Sequence, residues 1–148
     1  MSEAPYFAYG SNMSSARMHS RIPSARVHGI GCVAGFRLAF DKLGADGTGK
    51  ANLVPDPGFL VWGVVWSFPD PEWATLDRFE PGYARREVEV TCAGSRLRAQ
   101  TYVATLLTDD PVASAQYKRL LAEGAGEHGL PREHLARIES LASRPRVG

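Results

Sequence analysis

Hydrophobic and polar positions divide this chain into strand-like stretches over its first two thirds and helix-like stretches towards its end. Tyr6-Phe7-Ala8-Tyr9 is short and aromatic-rich and runs into Gly10-Ser11-Asn12, the pattern of a strand entering a sharp loop, with Asn12 placed to cap a short helix starting near Ser14. From Val27 to Asp41, β-branched and aromatic residues alternate around Gly29, Gly31 and Gly35, which predicts bent or bulged strands in a curved sheet. Gly44 to Gly49 reads as a loop and Lys50 to Val54 as a short strand. Leu60 to Phe68 is a nearly continuous apolar run bounded by Pro57-Gly58 and Pro69, as expected of a central strand covered on both faces. Asp70-Pro71-Glu72 has the order of an N-cap, a proline at the first helical position and an acid in the first turn. Trp73, Leu76 and Phe79 follow at helical spacing until Pro81-Gly82. Arg85 to Thr91 and Arg96 to Thr105 alternate on either side of Ala93-Gly94-Ser95, a hairpin pattern. Two helices are predicted last: Pro111 to Glu123, capped by Asp110 and stopped by Gly124, and Pro131 to Ala142, with Leu135, Ile138 and Leu141 on one face.

No regular β-α-β alternation is present, so the pattern predicts an α+β fold, a small mixed barrel-like sheet flanked by helices. A chain of 148 residues fits one domain, expected over residues 1–142 with a loose tail over 143–148. Apolar residues at 44% and charged residues at 22% are ordinary for a globular protein. The formal net charge of +1, with Lys and Arg dispersed, excludes the basic stripe that nucleic acid would select. No run approaches the roughly 18 apolar residues of a membrane span, and Met1 to Tyr9 lacks the layout of a signal peptide. Cys32 and Cys92 are isolated thiols without Cys-x-x-Cys spacing, which fits a reducing compartment; a cytoplasmic location is expected.

Several motifs fail on inspection. Gly44 to Lys50 has P-loop spacing, but Ala51 stands where a hydroxyl would meet magnesium, and no helix pattern follows. Gly29 to Ala34 imitates a dinucleotide fingerprint inside strand-like sequence, where bulge glycines are the better reading. Ser11 lacks the frame of a nucleophile elbow. His128 and His134 are six apart and do not share a helical face, so they read as surface histidines and no metal site is expected.

Tyr6 to Met13, YFAYGSNM, resembles the signature loop of the γ-glutamyl cyclotransferase family. Four further stretches agree in order: Val61 to Trp66, Leu76 to Glu80, Tyr102, and Gln116-Tyr117-Lys118 leading to Gly124 through Pro131. The resemblance implies that the α-amine of a γ-glutamyl group attacks its own γ-carbonyl, closing 5-oxoproline and expelling an amine, with no cofactor. It implies Glu80 as general base, Tyr6, Phe7, Ala8, Tyr9, Gly10 and Ser11 as substrate-contacting, Asn12 as a prop for the loop, and Tyr83, Tyr102 and Tyr117 as pocket wall. The expected partner is a small γ-glutamyl substrate, with no nucleic acid or membrane, and the chain a monomer or homodimer.

Local sequence makes the role of Glu80 reasonable. A carboxylate after the last turn of a helix opposes the macrodipole, and Phe79 and Tyr83 can desolvate it, both of which raise its pKa. Without the resemblance, Glu80 reads as a solvent-exposed residue closing a helix, and Asp77 as a surface acid one turn back. Gly10 suits a loop that brings amides close to an anion. Only Pro81-Gly82 separates Glu80 from Tyr83, a shorter turn than the family often has, so the rim facing the leaving group is reshaped. Alternatives are removal of a γ-glutamyl protecting group in a biosynthetic pathway, hydrolysis to free glutamate, and a non-catalytic module that binds a small anion.

Overall fold

The computed structural model describes residues 3–145. Five strands close a barrel in the order β1-β3-β2-β4-β5: β1 (Glu3–Ala8), β2 (Arg26–Leu43), β3 (Gly49–Pro69), β4 (Tyr83–Cys92) and β5 (Ser95–Ala104). Neighbours pair antiparallel except at the seam, where β1 meets β5 in parallel at Tyr6 and Gln100. The expected α+β architecture is the one observed.

The predicted strands at Lys50–Val54 and Leu60–Phe68 are one strand, β3. It crosses Pro55, Pro57 and Gly58 by slipping register against β2, from Phe36↔Pro55 to Ala34↔Leu60. That irregularity bends the long β2-β3 hairpin around the core, as a bulge does. The core is dominated by fully buried Trp66, Phe7, Phe40, Phe68, Leu53 and Leu76, most of them from β1 and β3. Gly63 explains how β1 lies so close to β3: a Cβ there would fall 2.5 Å from the Ala8 carbonyl oxygen and 2.8 Å from the Phe7 ring.

Four helices flank the barrel: α1 (Ser15–Arg21), α2 (Trp73–Arg78), α3 (Ala115–Glu127) and α4 (Arg132–Ser140). Three expectations about their ends are corrected. Ser14, not Asn12, caps α1, accepting from the Arg17 amide. Before α2, residues Asp70–Glu72 form a 3-10 turn, and Glu72 is the N-cap residue. Ser114, not Asp110, caps α3, and Gly124 does not stop it. Instead a Cβ on Gly124 would lie 2.9 Å from the Ser14 amide nitrogen and 3.0 Å from Met13 Cβ, so the bare backbone lets α3 lean on the loop after β1. Ser143–Arg144 of the expected loose tail pairs with Ala113–Ser114 as a two-stranded parallel sheet, β7 on β6. Residues 146–148 lie outside the described residues.

The histidines differ from expectation too. His134 is buried, its pKa lowered to about 4 by that burial. His128 packs edge-on against Trp66 with Nε2 3.2 Å from the Ser15 hydroxyl. Among the described residues no cluster of ligating side chains is arranged to hold a metal ion, and no helix is long and apolar enough to cross a membrane.

Candidate active site

Six elements converge on one small cavity: the end of β1 with its loop, Ala51 of β3, Glu80 in the turn after α2, Tyr83 of β4, Tyr102 of β5 and Tyr117 of α3. Side chains alternate along β1, so Tyr6 faces this cavity. Phe7 is turned into the core against Gly63, and Ala8 lines no part of the cavity. Of the sequence-predicted residues, Tyr6, Tyr9, Gly10, Ser11, Asn12, Glu80, Tyr83, Tyr102 and Tyr117 are brought together, while Phe7 and Ala8 serve the packing that carries the loop.

The loop is held from below. Trp66 donates its indole N–H to the Asn12 carbonyl at 3.0 Å, a buried bond linking the central strand to the loop. A Cβ on Gly10 would approach the Tyr117 hydroxyl to 3.4 Å and Ala51 Cβ to 3.3 Å. Gly10 has φ −111°, outside the left-handed region, so space beside the cavity is what calls for glycine here.

Among the described residues, Glu80 is the one carboxylate on the cavity wall. Its side chain is 13% exposed, and Oε1 accepts from Asn12 Nδ2 at 2.9 Å and from Arg21 Nη1 at 3.1 Å. Arg21 Nη1 also donates to Asn12 Oδ1 at 3.0 Å, so carboxylate, amide and guanidinium form a closed triangle. The Arg21 guanidinium lies over the Phe79 ring, 5.1 Å from its centroid. Burial raises the Glu80 pKa above the usual glutamate value, against opposing pulls from Arg21, Asn12, Arg17 and Lys42 in that order. Desolvation is thus the main cause of the shift. The preceding α2, only six residues long, offers little dipole.

The tyrosines form a protonated wall. Burial raises the pKa of Tyr6, Tyr9, Tyr83, Tyr102 and Tyr117 well above the ordinary phenol value, so each keeps its proton at neutral pH. Tyr6 accepts from Asn12 Nδ2 at 3.0 Å, Tyr9 donates to the Tyr102 carbonyl, and Tyr83 donates to the Ala51 carbonyl at 2.6 Å. Tyr117 accepts the Ala51 amide at 3.1 Å, which leaves its own O–H proton for another acceptor. Asp77, expected on the surface, is half-exposed and fixes Tyr102, accepting its hydroxyl at 2.7 Å while pairing with Arg85 at 3.2 Å.

Sequence reading missed Arg21, Ala51 and the positioning role of Asp77. Arg21 stands 59 positions before Glu80 at the end of a seven-residue helix, and no local signal joins them.

A closed barrel carrying a tyrosine-walled pocket with one buried, cation-paired carboxylate and a glycine loop defines an enzyme-like small-molecule site. The family model for γ-glutamyl cyclotransferase, AIG2-like proteins matches residues 6–119, and the chain belongs to that family. It is 34% identical to a γ-glutamylcyclotransferase of Bos taurus over 146 residues, 92% of this chain and 77% of that protein. To the Homo sapiens γ-glutamylcyclotransferase it is 33% identical over 153 residues, 97% of this chain and 81% of that protein. A solved γ-glutamyl cyclotransferase structure superposes with a TM-score of 0.91 at 30% identity, covering 99% of this chain and 92% of that one.

Proposed function

We propose that this protein is a γ-glutamyl cyclotransferase that converts a γ-glutamyl amine or amino acid into 5-oxoproline and the free amine, with Glu80 as the proton carrier. The observation that carries this reading is the placement of Glu80: a buried carboxylate of raised pKa on the wall of a cavity otherwise built from protonated tyrosines and the Gly10–Asn12 loop. Family membership supports the reaction class.

Glu80 takes a proton from the substrate's α-ammonium group. The freed nitrogen lone pair attacks the γ-carbonyl carbon, a C–N bond forms, and the carbonyl electrons move to oxygen. Amide N–H groups of the Gly10–Asn12 loop and the Tyr117 hydroxyl are suited to stabilise that oxyanion. Collapse breaks the bond to the leaving nitrogen, which takes the proton from Glu80; the second proton of the ring nitrogen then passes through the freed Glu80 carboxylate to the departing amine, which leaves as an ammonium ion beside a neutral lactam. Water is neither consumed nor formed, and the step needs no external reactant. A raised pKa suits both halves, since a base that must also return its proton works best near the operating pH. Holding amine and carbonyl together supplies much of the rate, because well-oriented intramolecular attack reaches effective molarities of roughly 10⁵ M or more.

Incubation with a panel of γ-glutamyl compounds, scored for both 5-oxoproline and glutamate, tests the reading. Formation of 5-oxoproline is expected; glutamate alone would establish hydrolysis, and neither product across the panel would establish a binding module. Glu80→Gln is expected to lower turnover by about 10²- to 10⁴-fold with the fold retained.

A further inference from the structure

The tyrosine cavity opens past Glu80 into a second groove whose wall includes Arg17, Arg21, Lys42 and Lys50, with Ser11, Glu80, Tyr83 and Tyr117 shared between the two spaces. These cations come from α1, β2 and β3, and only the folded barrel assembles them. Two are answered locally. Arg21 is paired with Glu80 at 3.1 Å and Lys50 with Asp46 at 3.3 Å. Arg17 and Lys42 form no ion pair with a carboxylate among the described residues.

Their burial makes this costly. Lys42 is only 7% exposed, and its ammonium sits 4.9 Å from the centre of the Tyr83 ring. Gly82 of the short turn closes over it, since a Cβ on Gly82 would fall 2.8 Å from Lys42 Cε. The Nε of Arg17 is buried and has no hydrogen-bond partner. A buried ammonium and an orphaned guanidinium N–H are both penalised unless an anion meets them. The groove is therefore two positive charges in excess on one side of the cavity, in a protein whose whole net charge is +1.

Glu80 stands between the two spaces, where it can reach the α-amine on one side and the departing nitrogen on the other. With the glutamyl group placed among the tyrosines, as the cyclisation reading requires, the leaving group would extend into the cationic groove. We infer that Arg17 and Lys42 select a leaving amine that carries two carboxylates, such as glutamate or aspartate joined through its nitrogen, over leaving groups with one carboxylate or none. This rests on the cyclisation reading above. Steric closure by Gly82 and the charge of Lys42 make the short Glu80–Tyr83 turn part of the same device.

Three substrates with the same glutamyl half test the inference: γ-glutamyl-ethylamide, γ-glutamyl-alanine and γ-glutamyl-glutamate. For the wild type, kcat/KM is expected to rise along that series, with γ-glutamyl-glutamate preferred over γ-glutamyl-alanine on the order of tenfold, the weight of one charge-assisted contact. The preference should shrink with added salt, and should fall towards unity in Lys42→Met and in Arg17→Met, the second being the less buried site. Equal kcat/KM for the three substrates overturns the inference. So does an equal loss on all three in both variants, which would assign the cations to the glutamyl carboxylate common to the series. Calorimetric affinities of Glu80→Gln for the same compounds separate groove from chemistry. The same ranking without 5-oxoproline from the wild type would refute cyclisation and keep the groove, and one affinity for all three, with cyclisation intact, would do the reverse.

Discussion

Asn12 Nδ2 lies 2.9 Å from Glu80 Oε1, and the same amide nitrogen is 3.0 Å from the Tyr6 hydroxyl. Asn12 is buried, and with Arg21 on its oxygen it has only one orientation that satisfies every partner. The residue therefore does more than steady the loop. It donates to Glu80, which favours the carboxylate form and moderates the rise that burial imposes.

Replacing Asn12 by Asp preserves the shape but removes both N–H donors and sets a second carboxylate against Glu80. Like charges at this distance raise the pKa of one partner. The acid limb of the kcat/KM profile is expected to move to higher pH, with activity at pH 7 reduced by at least tenfold, as a pH series on both proteins would show. An unmoved limb would remove Asn12 from control of Glu80.

The raised pKa of Glu80 also couples stability to pH. Between the ordinary glutamate value, about 4.3, and the raised folded value, the folded protein holds a proton that the unfolded chain has lost. Stability contributed by this group therefore falls as pH rises through that window and stays lower above it. Glu80→Gln carries a neutral side chain in both states and is free of this loss. Its melting temperature relative to wild type is expected to be higher at pH 7.5 than at pH 4, even as turnover falls, a comparison that calorimetry at the two pH values makes directly.

Two glycines of α3 make a matched pair. At Gly124 an added Cβ meets the Ser14 amide nitrogen at 2.9 Å and Met13 Cβ at 3.0 Å, backbone and core that yield little; at Gly126 nothing lies within 4 Å. Gly126→Ala is expected to stabilise by about 0.5–1 kcal/mol through helix propensity alone. Gly124→Ala is expected to destabilise by about 1–3 kcal/mol through overpacking and to lower activity by displacing the loop that bears Asn12. Denaturant melts of the two variants decide it, and equal stabilisation would show that α3 does not bear on the loop.

The barrel strands were legible because burial writes itself into local pattern. The apolar run is nearly continuous because Val61–Phe68 of β3 is covered on both faces, although Leu60 at its start is exposed, and the alternation of β4 and β5 marks strands with one face exposed. The break at Pro55–Gly58 misled, since a local rule ends a strand at Pro-Gly, whereas the register slip against β2 lets the chain continue. Gly124 misled for the same reason: propensity names it a helix stop, but its contact with Met13 and Ser14 is tertiary.

The amino-acid sequence by itself determined the strand content, the glycine loop after β1 and, through its ordered motifs, the family, and it singled out Glu80 as the candidate acid. The tertiary structure alone decided what surrounds that acid. Arg21 reaches Glu80 from 59 positions away, Trp66 reaches the Asn12 carbonyl from 54, and Arg17, Lys42 and Lys50 gather at one groove from three elements. Periodicity reports how each segment meets the core, and holds no record of which segments meet one another. Charge in the sequence is dispersed and nearly balanced; only barrel closure concentrates it at one groove beside Glu80.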